Sequence, residues 1–499
     1  MACKGTNNSV FLCDMDAFVS DTICAPASGT GGAVALIRVS GPDTFALLDR
    51  VVHFRRGDAA SAKGNRIKFG EIDGVDEVLV SIFRAPHSYT GEDSAEIGCH
   101  ASPYIVSRIL QLLCEAGARL AAPGEFTLRA FAGGKMDLAQ AEAVADLIAA
   151  DTQAAHRIAV NQLRGQYSQR LRSLKESLLE IASLMELELD FSEEEVEFAD
   201  RGKLRSLLDA TCAEIARLAD SFKLGNAIKS GVPVVIAGAV NAGKSTLLNA
   251  LLGEERAIVS DIPGTTRDTV EETLALGGIR FRFIDTAGLR EASDAIEKIG
   301  IERSYASLGK ADVVIGVLDA LSPLEVVRKS CEEIGARLTP EQTVLWVRNK
   351  VDAYDMIPPE EFPRFDRTYG IFELKYPAFG TYYLDPAALA AELGVPAVLD
   401  ISARTGEGLD ALKERLTGCV GDISGVGDAT LVTNLRHYEA LRSALEDLRR
   451  VSAGLDSGLS GDLLTQDLRS AIRFLETIFG EVTSDDILKR IFERFCVGK

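Results

Sequence analysis

The sequence is short of positive charge: 54 lysines and arginines stand against 74 aspartates and glutamates, a formal net charge of −20 over 499 residues. A chain this acidic does not grip a nucleic-acid backbone unaided, and it has no Lys/Arg run of the nucleic-acid type. Long hydrophobic runs are also missing, since no apolar stretch approaches the roughly 18 residues of a membrane span. We therefore expect a cytoplasmic protein of several domains that makes no membrane contact.

Cysteine patterns are lacking as well. The nine cysteines never form a Cys-x-x-Cys pair and are scattered as Cys3, Cys13, Cys24, Cys99, Cys114, Cys212, Cys331, Cys419 and Cys496. An odd, unpatterned set in a long chain indicates reduced thiols and not a disulfide framework. The first twenty residues have no long apolar core, so a secretory signal is not predicted.

Three patterns follow one another along the chain. Up to about residue 130, strand-like runs such as AVALIRVSG and DEVLVSIF flank a helical run, IVSRILQLLCEAG, which predicts an α+β domain. From Leu138 to about Leu224 apolar residues recur at helical spacing. After Gly231 the apolar runs VPVVIAG, IRFRFI, ADVVIGVLDA, TVLWV and PAVLDI alternate with helical stretches, which indicates a parallel sheet covered by helices. The helical pattern returns after about Thr430, so the α/β block reads as an insertion into a helical domain.

The strand VPVVIAG runs into a phosphate-binding loop. Gly238-x4-Gly243-Lys244-Ser245 is a complete Walker A pattern, between a strand and the helical stretch STLLNALLG. Its glycines let backbone N–H groups converge on phosphate oxygens, its lysine meets the β- and γ-phosphates, and its serine is placed to ligate Mg²⁺. The residues predicted to bind GTP here are Asn241, Ala242, Gly243, Lys244, Ser245 and Thr246.

Three further motifs each end a strand. Their residues are Asp285, Thr286, Ala287 and Gly288; Asn349, Lys350, Val351 and Asp352; and Ser402, Ala403 and Arg404. The first motif suits the Mg²⁺ shell and the γ-phosphate. The carboxylate of Asp352 can accept from the guanine N1–H and amino group together, a donor pair that adenine lacks. In this order the motifs predict a GTPase.

The stretch GTTRD, from Gly264 to Asp268, together with DTAGLREASDAIEKIGIERS and the terminal CVGK, resembles the MnmE (TrmE) tRNA-modification GTPase family. The N-terminal stretches DTICAPASGTGGAVALIRVSG, PHSYTGEDSAEIGCH and PGEFTLRAFAGGKMDLAQAEAVADLI carry the same resemblance, which thus covers nearly the whole chain. It implies a multidomain α/β and α protein. The segments are an N-terminal α+β dimerisation and tetrahydrofolate-binding domain at 1–136, a helical domain at 137–229 and 426–499, and an inserted Ras-like P-loop G domain at 230–425.

The resemblance also implies a potassium-activated GTPase that uses no arginine finger. The residues that match the K⁺ ligands are Asn241, Ser260, Ile262 and Thr265, and those of the second GTP-contacting loop are Ser260, Asp261, Ile262, Pro263, Gly264, Thr265 and Thr266. Thr266 would join Ser245 on Mg²⁺, and Glu297 would orient the attacking water. From the residues alone, Glu297 reads more readily as an exposed glutamate on a charged helix.

For the N-terminal domain the resemblance implies a 5-formyl- or 5,10-methylene-tetrahydrofolate site, which Arg38, Glu96 and Lys135 match by position. Carboxylates suit the N–H groups of a pterin, and cations suit its carbonyl oxygens or its glutamate tail. The terminal CVGK would reach this site, with Cys496 as nucleophile or proton carrier and Lys499 contacting the folate.

Local sequence says less about that tail. TSDD from Thr483 has the form of a capping box, and Ile487, Ile491 and Phe495 follow at four-residue spacing, which predicts an amphipathic helix almost to Cys496. The last four residues are not a prenylation signal, and a lone thiol is a poor metal site. Local sequence alone favours a frayed end.

The function implied is that of a homodimeric GTPase that works with an MnmG (GidA)-type partner, which uses FAD and NADH, in a hetero-oligomer. Together they would modify carbon 5 of the wobble uridine of certain tRNAs to a carboxymethylaminomethyl type, with tRNA bound largely through the partner. Two alternatives stay open: an Era-like switch GTPase of ribosome assembly, and a folate-dependent transferase with a purely regulatory G domain. The first predicts an appended basic RNA-binding module, which the sequence does not show.

Overall fold

A computed structural model of the chain describes residues 21–29, 32–190, 201–253, 272–284, 307–340, 342–356, 385–420, 430–457, 459, 461–493, 495 and 498. The chain divides into two compact units. The first comprises Met1–Ala149, Ala159–Ile215 and Glu439–Lys499, and the second comprises Ala150–Ile158 and Ala216–Tyr438. Among the described helices, none combines the length and the apolarity that crossing a bilayer would take.

The first unit contains a seven-stranded sheet. Its strands are β1 (Ile23–Pro26), β2 (Val34–Ser40), β3 (His53–Phe54), β4 (Arg66–Ile72), β5 (Asp76–Phe83), β6 (Ser94–His100) and β7 (Arg119–Leu120). They lie in the order β3-β4-β5-β6-β2-β1-β7, and every pair is antiparallel except β1 with β7. The α+β character predicted for this region is thus confirmed.

The two faces of this sheet differ. Alternate residues such as Ile37, Val80 and Ile97 are fully buried in one core, which helices α1 (Thr44–Val51) and α2 (Pro103–Glu115) cover. On the opposite face, large apolar side chains stay exposed: Val34 by 64%, Leu36 by 38%, Ile67 by 69% and Leu79 by 52%. Since successive side chains of a strand point to opposite faces, Arg38 shares the face of Val34 and Leu36.

The described remainder of the first unit is mainly helical. Its helices are α3 (Glu125–Ala132), α4 (Leu138–Ala149), α5 (Gln153–Leu163), α6 (Gln166–Asp190) and α7 (Arg201–Asp220), followed near the end of the chain by α13 (Leu435–Asp456), α14 (Gly461–Phe479) and α15 (Asp485–Phe492). Helices α5, α7 and α13 contribute residues to both units. Helices α6 and α14 pack along each other, although almost 300 residues separate them in the sequence.

The last helix is shorter than its pattern predicts. Helix α15 begins after Ser484, whose side chain makes no capping bond, and it ends at Phe492. Leu488 and Phe492 face the core, whereas Ile487 is 42% exposed. The cap thus lies one residue after the predicted Thr483. Of the predicted stripe, Ile491 and Phe495 pack in the core around Leu138, whereas Ile487 does not, because Leu488 and Phe492 take the buried face.

The second unit contains a six-stranded sheet. Its strands are β8 (Val232–Gly238), β9 (Glu272–Leu276), β10 (Ile279–Phe283), β11 (Val313–Asp319), β12 (Thr343–Asn349) and β13 (Val398–Asp400). They lie in the order β13-β12-β11-β8-β10-β9, and all pairs are parallel except β10 with β9. The predicted parallel sheet is confirmed. The strand β9 was missed, and it pairs with β10 through a turn in which Gly277 and Gly278 both have positive φ.

Helices cover both faces of this sheet. They are α8 (Phe222–Ser230), α9 (Lys244–Gly253), α10 (Leu324–Gly335), α11 (Pro386–Leu393) and α12 (Leu409–Gly418). Along β8, Val234 and Ile236 lie in one core with residues of α9 and α12, and Val235 and Ala237 lie in another with residues of α10 and α11. Burial on both faces explains why these strands read as continuous apolar runs.

Candidate functional site

The P-loop follows β8 directly, at the carboxyl end of a central strand of the second sheet. Two of its residues adopt left-handed backbone: Asn241 with φ 61° and Gly243 with φ 93°. Asparagine tolerates this region better than most residues and glycine enters it without strain. The turn delivers the chain into α9, so the first N–H groups of a helix face the position where phosphate would lie.

Lys244 lies at the start of α9 and is 7% exposed. Its Nζ donates to the carbonyl oxygens of Gly238 at 3.1 Å and Ala239 at 2.7 Å, both in the loop that precedes it. The ammonium group therefore lies over the loop and donates to two of its carbonyl oxygens. The phosphate oxygens of a bound nucleotide would compete with these carbonyl oxygens for the ammonium group. Ser245 follows and is only partly buried, and its hydroxyl oxygen is a ligand type that Mg²⁺ accepts.

Asn349, the last residue of β12, joins three loops. Its Nδ2 donates to the Ala242 carbonyl at 2.9 Å, and its Oδ1 accepts from the Ala403 N–H at 2.9 Å. The side chain is 2% exposed, so both bonds lie away from water. Asn349 thereby connects the phosphate-binding loop with the loop that begins at Ser402.

Asp352 is held with its carboxylate accessible. Its Oδ1 accepts from the Ser402 hydroxyl at 2.8 Å, and the Arg404 Nη1 lies 3.9 Å from Oδ2. The side chain is 17% exposed, so a purine could still reach it. A carboxylate fixed in this way is a specific acceptor for two adjacent N–H donors.

Lys350 takes a left-handed backbone, with φ 73°, and its Nζ donates to the Asp319 carboxylate at 2.7 Å. Asp319 ends β11, the strand next to β12, and its side chain is 12% exposed. The sequence reading missed Asp319. Its position at the carboxyl end of a central parallel strand, where ligands gather in α/β sheets, was the available signal.

Several predicted residues lie outside the described residues. They are Ser260, Asp261, Ile262, Pro263, Gly264, Thr265, Thr266, Asp285, Thr286, Ala287, Gly288, Glu297, Cys496 and Lys499. The described part brings together residues of the P-loop, of the Asn349–Asp352 motif and of the Ser402–Arg404 motif, which are far apart in sequence.

A second cluster lies in the first unit around Arg38. Arg38 on β2 stands opposite Glu96 on β6 in the antiparallel register. Its Nε and Nη2 donate to Glu96 Oε1 at 3.1 and 2.8 Å. The two side chains are 12% and 25% exposed, so the pair is partly desolvated but still reachable.

Aromatic rings and the end of the chain complete the surroundings of Arg38. The guanidinium carbon lies 5.1 Å from the centre of the Tyr89 ring and 5.6 Å from that of Phe126. Burial raises the pKa of Tyr89, although its hydroxyl bonds Thr127 at 2.8 Å. The Nη1 of Arg38 donates to the carbonyl oxygen of Gly498 at 3.2 Å. Sequence reasoning missed both rings.

Lys135, the third predicted folate contact, lies beside the loop that leads to Tyr89. Its Nζ donates to the Pro86 carbonyl at 2.9 Å, and a Cβ on Gly91 would touch its side chain at 3.2 Å. The structure thus brings Arg38 and Glu96 into direct contact and places Lys135 on the neighbouring loop.

The fold and the P-loop define the second unit as a nucleotide-binding domain of the P-loop GTPase class. For the whole chain, a profile described as "MnmE helical domain" matches residues 138–496, and one described as "GTP-binding protein TrmE N-terminus" matches residues 22–135. The tRNA modification GTPase MnmE of Bacteroides thetaiotaomicron is 47% identical over 96% of this chain and 99% of its own length. That of Porphyromonas gingivalis is 47% identical over 97% and 99%.

These matches extend over nearly the full length of the chain. The chain belongs to the MnmE family of tRNA modification GTPases and is a GTP hydrolase. Among solved structures, the G domain of the T. maritima FeoB iron transporter is 29% identical over 38% of this chain and 98% of that one, with a TM-score of 0.24.

Proposed function

We propose that the chain uses its GTPase domain to drive a tRNA modification at carbon 5 of the wobble uridine, together with an FAD- and NADH-using partner of the MnmG (GidA) type. A tetrahydrofolate derivative, 5-formyl or 5,10-methylene, supplies the one-carbon unit. The observation that carries this proposal is the presence of two separate clusters in one chain, a guanine-nucleotide cluster around Asn349 and a cation–carboxylate cluster around Arg38 and Glu96.

In the G domain, Asp352 reads guanine and Lys244 neutralises the β- and γ-phosphates. Ser245, with Thr266, would hold Mg²⁺, which would supply positive charge to the phosphates. Asn241 stands in the P-loop with its left-handed backbone, and we propose it as a K⁺ ligand with Ser260, Ile262 and Thr265. Glu297 orients the attacking water.

The potassium proposal has a direct test. We expect GTP hydrolysis by the purified chain to be at least about tenfold faster in KCl than in NaCl at equal ionic strength, because a monovalent cation beside the phosphates lowers the barrier electrostatically. Asn241→Ala should remove this difference, while the exposed P-loop neighbour variant Val240→Ala should keep it. Equal rates in the two salts for the unaltered chain would contradict the proposal.

In the first unit, Glu96 accepts from the pterin N–H groups, and Arg38 and Lys135 meet its oxygens or the glutamate tail. The exposed apolar face that carries Arg38 supports a homodimer interface at this site, because apolar patches of this kind mark contact surfaces. The carbonyl of Gly498 on Arg38 supports a role for the terminal residues, with Cys496 as nucleophile or proton carrier and Lys499 on the folate.

The remaining parts of the proposal concern organisation. The proposed segments are 1–136, 137–229, 230–425 and 426–499, with the G domain inserted into the helical domain. The acidic chain leaves most of the tRNA contact to the partner, and the complex works in the cytoplasm.

The test is modification of unmodified tRNA by the chain with its FAD partner, folate, NADH and glycine or ammonium, measured by nucleoside analysis. We expect Arg38→Met and Cys496→Ser to abolish the modified uridine while GTP hydrolysis stays within about twofold of the unaltered rate. Arg55→Met, at a 71% exposed arginine directly after β3, should leave both unchanged. Modification that survives Arg38→Met would contradict the folate site. Modification that stays intact in Glu297→Ala although GTP hydrolysis is abolished would contradict coupling to hydrolysis.

A further inference from the structure

Arg348 and Asp400 form an ion pair between the two strands that carry the base-recognition motifs. Arg348 is the penultimate residue of β12, Asp400 is the last residue of β13, and the two are directly paired in the parallel register. The Nε of Arg348 donates to Asp400 Oδ1 at 2.7 Å and its Nη2 donates to Oδ2 at 2.6 Å. The geometry is a two-pronged guanidinium–carboxylate contact, the most directional ion pair that side chains make.

The arginine of the pair is buried and the aspartate is partly exposed. The Arg348 side chain is 5% exposed and that of Asp400 is 32% exposed. A buried ion pair stabilises a fold little in net terms, because desolvation offsets the attraction, but it does select one geometry. The pair is therefore better suited to fixing a position than to supplying stability.

The residues next to Arg348 and Asp400 in the sequence show which loops the ion pair holds in position. Arg348 directly precedes Asn349 and the guanine-binding motif, and Asp400 stands two residues before Ser402, whose hydroxyl bonds Asp352. The strand β13 has only three residues and lies at the edge of the sheet. A short edge strand has few ladder bonds, so side-chain contacts matter for its register and lateral position.

Backbone hydrogen bonds join the two strand ends, in addition to the Ala403–Asn349 and Ser402–Asp352 bonds between the loops. The Ile401 N–H bonds the Arg348 carbonyl at 2.9 Å, but the Val351 N–H reaches the Ile401 carbonyl only at 3.3 Å. The ion pair adds a two-pronged side-chain connection at the base of both loops.

We propose that Arg348 and Asp400 are positioning residues for guanine recognition, which hold the Ser402–Arg404 loop so that the Ser402 hydroxyl fixes the Asp352 carboxylate against the base. This inference rests on the proposed guanine contact of Asp352. It predicts that the pair tunes discrimination of the purine and leaves the hydrolysis step unaffected.

The experiment compares GTP with ITP, which keeps the N1–H but lacks the amino group. In Asp400→Asn and Arg348→Met we expect the KM for GTP to rise about five- to tenfold and that for ITP less than twofold, with kcat nearly constant. The GTP preference over ITP should therefore shrink. The matched control is Glu392→Gln, which breaks the exposed Arg328–Glu392 pair in the same unit and should change neither KM.

A purely structural role gives a different result. If the variants only destabilised the domain, the active fraction would fall equally for GTP and ITP at constant KM, and the proposal would be overturned. The double exchange Arg348→Asp with Asp400→Arg should restore the GTP preference at least in part. Asp352→Asn tests the guanine contact of Asp352 separately from the positioning role of Arg348 and Asp400. A gain of XTP use supports the guanine contact, and no gain contradicts it, whatever the Arg348 variants do.

Discussion

At the scale of single residues, the phosphate-binding loop needs a glycine at a position where a side chain would collide with a neighbouring residue. Gly243 has φ 93°, and a Cβ at this position would collide with the Nδ2 of Asn349. The same nitrogen donates to the Ala242 carbonyl, so the hydrogen bond between the two loops can form only because Gly243 has no side chain. Asn241, two residues earlier, reaches a similar φ with a side chain that tolerates it.

We therefore expect Gly243→Ala to weaken GDP binding by at least about tenfold, because alanine is strained at this φ and displaces Asn349. Titration calorimetry or a fluorescent nucleotide would measure it. The matched control is Gly253→Ala, at the end of the same helix, where no atom of the described residues lies within 4 Å of the added Cβ. If Gly243→Ala bound GDP as well as the control, the described loop geometry would not be that of the binding state.

At the scale of elements, α3 is tied to the sheet by charged groups. The buried Glu125 carboxylate accepts from Arg119 Nη2 at 2.6 Å, Arg129 Nη2 at 3.1 Å and the Ala122 N–H at 2.8 Å. Arg129 in turn donates to Asp21 at 2.6 Å, just before β1. Burial alone would raise the pKa of Glu125, but these hydrogen bonds outweigh it, and its pKa lies below the usual value.

The pKa of Asp21 is likewise lowered, since the bonds from Arg119 and Arg129 outweigh its burial. A carboxyl whose folded pKa is depressed stabilises the fold at pH values above its unfolded pKa, and this contribution is lost as the pH falls through the folded pKa. We expect the free energy of unfolding of the first unit to decrease steeply as the pH falls from about 5 towards 3.

Glu125→Gln should flatten that decrease and also destabilise the unit at pH 7, by about 3 kcal/mol for a broken buried ion pair. Urea unfolding at a series of pH values measures both. Glu77→Gln, at a 60% exposed glutamate of the same sheet, serves as the control and should leave the profile as it is. An unaltered pH profile in Glu125→Gln would show that the network does not govern acid stability.

At the scale of the whole molecule, two compact units each have their own core. Only the second unit contains the P-loop. A ligand that binds one folded unit stabilises that unit by mass action, by about 2.7 kcal/mol at a concentration of 100 Kd. We expect calorimetry to show two thermal transitions, of which GDP raises one.

The assignment of these transitions has its own control. Asp352→Asn should abolish the shift caused by GDP while leaving both transitions in place, and Arg38→Met should leave the GDP shift unchanged. A single transition that moved as a whole with GDP would show that the units unfold together.

Features of the fold that depend on a short stretch of sequence were predicted correctly, and some of those that depend on packing partners were not. The strands of the second sheet and the P-loop follow from short-range features: continuous apolar runs, glycines at a strand–helix turn, and motifs at strand ends. The strand β9 was missed because it ends in the two-glycine turn before β10 and has little apolar length of its own. On α15 the predicted stripe was wrong at Ile487 and correct at Ile491 and Phe495, because Leu488 and not Ile487 packs in the core at the start of the helix.

The order of residues along the chain was enough to predict a GTPase, because the Walker loop and the motifs that end the later strands need particular residue types at fixed positions. The neighbourhood of Arg38 could not be read in this way. Its Gly498 partner lies 460 residues away, and Tyr89 and Phe126 reach it from separate loops and helices. Likewise, Arg348 and Asp400 are 52 residues apart and meet through strand register. Such contacts depend on how strands pair and helices pack, and these are decided by the burial of the whole core.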